Sequence, residues 1–348
     1  MKQGQSLNDL MNTVINVEKS KADFIVPTAK IVFDTTHNTI EFGNNSSYEM
    51  TDNFHDQISS KLEIPRQYYN RMRERAPNLL DKNVQHWLVN ADDTRMIRTL
   101  GPSARAYLSN RYRPLDNYDL MQTILPVIAE SQLTVESCEL TEKKLYLKVL
   151  SPKIEFEVRK NDVVRAGLVI SNSEIGGGTL SVEPLIYRLV CLNGLIASDN
   201  SMRKYHVGRS GTDYENAIEF YRDETREADD KALWMRVRDT VAGAFNMINF
   251  QSIVNKFEIA AGRSQIETIQ RADVIEVTRK KLGLSENESS AIEVNYQAAN
   301  DRTLYGLINA ITLHSQSVAD YDRATELEKK GGVLLDLNDK EAKTFGFN

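Results

Sequence analysis

The sequence predicts an α+β protein: an antiparallel β-sheet core with flanking helices, followed by a mainly α-helical C-terminal region. Two observations carry this. All eight prolines fall at or before residue 184, so the last 164 residues have none, and helix interiors tolerate proline least. Before Pro184 apolar residues alternate with period two, and after it they recur at three- and four-residue steps.

In chain order, a short helix is expected near residues 6–17, two strands around Ile31 and Ile40, and a helix carrying Ile58 and Leu62 that ends before Pro65. A second helix follows with Tyr68, Tyr69 and Met72. The stretch DNYDLMQTILPVIAES opens on Asp116 as a cap, carries Leu120, Ile124 and Ile128 at four-residue spacing, and is kinked by Pro126. Lys144, Tyr146 and Lys148 alternate with Leu145, Leu147 and Val149, the mark of a half-buried strand. Residues 163–171 and 179–190, joined through Gly176, Gly177 and Gly178, form a strand, loop and strand. Thr212-x-x-Glu215, Ser264-x-x-Glu267 and Ser285-x-x-Glu288 each spell a capping box. Leu233, Val237, Val241, Phe245 and Ile248 make one apolar stripe on a long helix. The expected organisation is a small N-terminal α/β unit (1–90), an antiparallel sheet domain (91–211), a helical region (212–330) and a tail (331–348). In that tail Gly331 and Gly332 stop the last helix.

The chain has 348 residues, of which 26% are charged and 41% hydrophobic, which excludes disorder and supplies a core for about two domains. No run approaches the roughly 18 apolar residues of a membrane span, and the start MKQGQSLNDL has no signal-like apolar core. A cytoplasmic protein without membrane contact is expected. Cys138 and Cys191 make no disulfide framework or zinc spacing, so no metal and no cofactor is expected. A net charge of -6 argues against coating nucleic acid by bulk charge, so any such contact must be local.

One local field stands out. Residues 94–115 hold Arg95, Arg98, Arg105, Arg111 and Arg113 without an acid, beside Tyr107 and Tyr112. Arginine forks match phosphate oxygens and tyrosines stack on unpaired bases, the pairing single-strand binders use. Arg66, Tyr69, Arg71 and Arg73, with Tyr68 and Arg75, repeat this chemistry on a helix, and Asn172 and Ser173 in SNSEIGGG add polar contacts. The competing assignment pairs these arginines with the protein's own acids and places the tyrosines in the core. The triple glycine lacks the Gly-Lys-Ser/Thr of a nucleotide triphosphatase loop. Asp116, Glu142 and Lys144 loosely match a Mg²⁺-dependent nuclease, although 142–144 also suit a turn between strands. Cys191 with His206 lacks a third catalytic member. No catalytic residue is assigned.

The run RAYLSNRYRPLDN, then SNSEIGGG, CLNG within RLVCLNGLI, and YHVGR resembles a phage/plasmid-like protein family of unknown function found in prophages, conjugative plasmids and tailed phages. The resemblance covers about residues 50–260 and implies a mobile-element context, not a chemistry. In outline alone, an Arg/Tyr segment beside a sheet followed by helices is similar to the single-strand annealing proteins of phage recombination. The expectation is a non-enzymatic, homo-oligomeric single-stranded-DNA-binding protein acting in recombination or replication, with strand annealing and a phage or host replication or recombination protein as partner. The alternatives are a structural or host-interaction protein and, third, the nuclease.

Overall fold

The computed structural model describes residues 1–43, 46–197, 223–245 and 247–348. Its class is α+β, with two sheets in the N-terminal part and helices after them. The first capping box, at Thr212, and His206 lie outside the described residues.

Helix α1 (Leu7–Ser20) starts where the Ser6 hydroxyl accepts from the Asp9 N–H. Strands β1 (Lys21–Pro27), β2 (Val32–Asp34), β3 (Thr39–Phe42) and β4 (Ser46–Met50) lead to helices α2 (Asp52–Lys61), α3 (Arg66–Arg75) and α4 (Pro77–Asn90). Strands β5 (Thr94–Leu100) and β6 (Ser103–Ser109) then return to the same sheet, whose order is β1-β5-β6-β4-β3-β2. The boundary expected at residue 90 therefore cuts through a sheet. One face of it packs Ile97 and Tyr107 onto Phe54, Ile58, Leu80, Val84 and Leu88 of α2 and α4.

After α5 (Asn117–Glu130), strands β7 (Thr134–Leu140), β8 (Leu145–Arg159), β9 (Asp162–Asn172), β10 (Ser181–Arg188) and β11 (Asn193–Ile196) form an antiparallel sheet in the order β11-β10-β9-β8-β7. The helices that follow are α6 (Asp223–Gly243), α7 (Met247–Gly262), α8 (Arg271–Leu282), α9 (Glu286–Ala299), α10 (Leu304–His314), α11 (Tyr321–Leu335) and α12 (Asp339–Thr344). Leu147, Val149, Leu168 and Ile170 from this sheet share one core with Leu120, Val237, Phe250 and Leu307 of the helices. Each such side chain contributes roughly 1.5–3 kcal/mol by leaving water. Sheet and helical region thus share one hydrophobic core.

Three local expectations change. The first half of β8, residues 145–151, is buried on both faces: α11 covers Tyr146 and Lys148, and the fully buried Lys148 ammonium is neutralised by Glu328 at 2.6 Å. The box at Ser285 forms as expected, whereas Ser264 lies in an extended bridge to Thr303 and starts no helix. Gly331 and Gly332 do not stop α11 but lie inside it. A Cβ on Gly332 would come 2.0 Å from the Ile196 carbonyl oxygen, so glycine is what lets helix and strand touch. The tail folds back as α12, with Phe345 and Phe347 buried in the core.

Candidate nucleic-acid interface

Strand β5 places Arg98 directly opposite Asp23 of β1. Its side chain is 1% exposed, and its Nε and Nη2 donate to the two Asp23 carboxylate oxygens at 2.7 and 2.8 Å. Nη1 donates to Asp116 Oδ1 at 2.8 Å and to the Glu174 carbonyl at 3.0 Å. Burial alone would lower the Arg98 pKa, but the Asp23 hydrogen bonds and the Asp116 charge hold it above its ordinary value. Asp116 also binds Lys21, and its side chain makes no capping bond to α5. Glu174 caps the helix instead, its Oε1 accepting the Asn117 N–H at 2.8 Å.

A β-bulge between β5 and β6 follows the Arg98–Ala106 pair and leaves Arg105 without a register partner. Arg105 turns into the same buried seam, 3.7 Å from Glu174 Oε2, and donates through Nη2 to the Glu142 carbonyl at 3.1 Å. Burial pushes Glu174 up and Arg105 down, since so loose a pair recovers little of the lost hydration.

The SNSEIGGG segment closes this seam. Asn172 donates to Leu115 O and Asn117 Oδ1, and the Ser173 hydroxyl donates to Lys143 O at 2.7 Å while accepting the Gly177 N–H. Gln57 of α2 reaches across, donating to Ile175 O at 2.6 Å and accepting the Tyr107 N–H. Gly176 has φ +75° and sits where a Cβ would press within 2.8 Å of Leu108. The RAYLSNRYRPLDN and SNSEIGGG runs, distant in sequence, therefore meet as an internal latch between the two sheets. In the third run the polar side chains are engaged internally, Arg188 holding Asp162 and donating to Cys191 Sγ at 3.3 Å and Asn193 donating to Thr312, while Val190 and Leu192 are exposed.

Several residues expected to touch DNA are thereby placed inside. Arg98, Arg105, Tyr107, Asn172, Ser173 and Tyr69 are all buried. Tyr107 meets Phe54 edge-on at 5.7 Å, and burial raises its hydroxyl to about 12, so its ring offers no face to a base. Arg95 pairs with Asp93 and lies 5.9 Å over that same ring. Tyr112 is half-buried with its hydroxyl donating to Ser173 O, and Arg113 binds Asp230 of α6. Arg111 alone of this segment's five arginines is exposed.

The second cluster is the accessible one. On α3, Tyr69 turns inward to His55, whereas Tyr68 is 46% exposed with the Arg71 guanidinium 5.3 Å over its ring. Arg66, Asn70 and Arg73, one helical face, line a polar groove of about 820 Å³ with the β7–β8 turn and the start of α11. Arg66 pairs with Asp56 and Arg73 with Asp52 across that rim. The sequence put Tyr69 forward as the contact, but Tyr69 is buried and Tyr68 is the exposed ring; both fall on apolar spacing with Met72, so spacing does not tell them apart. The contributions of Lys143, Lys144 and Lys329 to one groove had no signal in the sequence beyond a charged turn.

The nuclease residues are not assembled in this groove. Glu142 and Lys144 line it, but Asp116 is engaged by Arg98 and Lys21 in the seam. Among the described residues no three His, Cys, Asp or Glu side chains are grouped to hold a metal ion.

Residues 106–331 match the family described as a domain of unknown function, DUF932. This span takes in nearly all of the first run, SNSEIGGG, RLVCLNGLI and YHVGR, and extends beyond the sequence motifs to residue 331, inside α11. No curated protein and no solved structure matches the chain.

Proposed function

The chain belongs to the DUF932 family, and from its own geometry we propose that it is a non-enzymatic single-stranded-DNA-binding protein of a phage or plasmid, acting in recombination or replication. The observation that carries this reading is the exposed Tyr68–Arg71 stack on α3 beside Arg66, Arg73 and Arg75. An exposed aromatic ring stacks on an unpaired base, and the exposed Arg71 and Arg75 guanidinium groups beside it meet the flanking phosphates. Arg111 extends the basic surface from the β6 end. The latch formed by Arg98, Arg105 and Glu174 has a supporting role: it joins β5 and β6 to the turn after β9, to which Gln57 of α2 also binds. Self-association and annealing belong to the same proposal, and light scattering of the protein with and without oligonucleotide tests them.

A second reading, a structural or host-interaction protein of a mobile element, is favoured by one specific observation. Most of the Arg/Tyr segment is spent on internal ion pairs, as in a protein whose arginines serve folding. Fluorescence anisotropy of a labelled oligonucleotide, single-stranded and duplex, across a salt series separates the two. Salt-sensitive binding that prefers the single strand supports DNA; no binding at low salt by the folded protein supports the interaction protein.

A further inference from the structure

The cations lining the groove divide into two groups. Arg66, Arg73, Arg323 and Lys329 each hold a carboxylate, on Asp56, Asp52, Glu288 and Glu183. Lys143 and Lys144 have no ion pair among the described residues, although Lys144 is half-buried. The turn that carries them is braced. The Lys143 and Lys144 N–H groups donate to Thr141 Oγ1 at 3.2 and 3.0 Å, Thr141 N–H donates to Lys144 O at 2.9 Å, and Ser173 holds Lys143 O. The Lys144 side chain lies against Gly178, where a Cβ would stand 2.7 Å from Nζ. The acids nearest to Lys144 are already engaged: Asp322 by Thr141 and Tyr146, and Glu183 by Lys329 and Ser181. Burial, and then the neighbouring Lys329 ammonium, push the Lys144 pKa down against the opposing charges of Asp322 and Glu183.

We propose that the Lys143–Lys144 turn is a phosphoryl-binding site with Lys144 as its anchor, taking the phosphate of a nucleic-acid strand or of a free nucleotide. A rigid turn presenting two ammonium groups supplies point charges to a phosphoryl oxygen. The groove beyond it, about 820 Å³, has the size of a small-molecule site and room for the rest of a nucleotide. The site is separate from the Tyr68–Arg71 stack and does not depend on it.

The test is lysine acetylation of the full chain mapped by mass spectrometry, with sodium pyrophosphate or a 5′-phosphorylated oligothymidine as probe. Lys280, exposed on α8, serves as internal reference. The expected result is that a probe slows acetylation of Lys144 about tenfold and leaves Lys280 unchanged. Lys144→Met should abolish pyrophosphate heat in calorimetry while Lys144→Arg retains it. Protection by pyrophosphate but not by the oligonucleotide supports the site with a free phosphorylated ligand, even if the DNA reading fails. Protection by the oligonucleotide assigns it to a strand. Equal acetylation of Lys144 with and without both probes, read on the wild-type protein, overturns the proposal.

Discussion

Arg98 Nη1 donates to the carbonyl oxygen of Glu174 at 3.0 Å, joining strand β5 of the first sheet to the turn that leaves β9 of the second. The same guanidinium neutralises Asp23 and Asp116, and Glu174 caps α5, so one arginine organises three elements. Arg98→Met is expected to destabilise the protein by about 3–5 kcal/mol, because Asp23 loses its counter-charge and Asp116 is left with Lys21 alone. Urea unfolding checks this, and a loss below about 1 kcal/mol would mean that the seam is a surface-like ion pair.

Lys148 and Glu328 form a pair with both side chains fully buried, and Lys148 lies 4.8 Å over the Tyr321 ring. Lys148→Met alone should cost about 3–5 kcal/mol by stranding the Glu328 carboxylate. The Lys148→Met/Glu328→Leu double variant should recover most of that loss, since buried ion pairs rarely outperform apolar replacements. Denaturant midpoints of the three proteins give the coupling directly.

Gly332 touches Ile196 through backbone alone. Gly332→Ala should destabilise by at least about 1–3 kcal/mol through overpacking, despite alanine's better helix propensity. Gly243, with nothing within 4 Å of an added Cβ, is the control, and Gly243→Ala should be neutral or mildly stabilising by thermal unfolding.

His55 is buried, with Nδ1 accepting from the Tyr69 hydroxyl and Nε2 donating to Asn38 Oδ1, both at 2.8 Å. Burial, then the Arg73 charge, lower its pKa from 6.5 to about 4. The folded state therefore resists a proton that the unfolded state takes. This contribution is complete above pH 6.5 and is lost as pH falls toward 4, amounting to about 3 kcal/mol over that window. Urea midpoints should decline through this range in the wild type and decline less in His55→Gln.

How far the sequence reaches is clear from particular residues. The α+β class, the first helix, the capping box at Ser285 and the turn at 142–144 follow from local rules, and the structure forms each of them. What fails is whatever depends on a distant partner. Lys148 alternates with apolar neighbours and reads as a solvent-facing residue, but α11, 180 residues on, covers it and brings Glu328. An arginine-rich run without acids reads as a surface field, yet its carboxylates come from Asp23, Glu174 and Asp230 elsewhere in the chain. Asp116 fits a helix cap by position, but Arg98 and Lys21 claim its oxygens. Tyr68 and Tyr69 share one spacing, and only packing against His55 decides which is exposed.

We propose a division of labour in which Arg98 holds the fold and α3 meets the nucleic acid. It is tested most directly by oligonucleotide anisotropy across a salt series with wild type, Tyr68→Ala/Arg71→Ala and Arg111→Ala, each checked for folding by circular dichroism. The account predicts that the α3 variant loses at least about tenfold in affinity and that removing one arginine lowers the slope of log K against log salt by about 0.7. Unchanged affinity and slope in the folded α3 variant would contradict it.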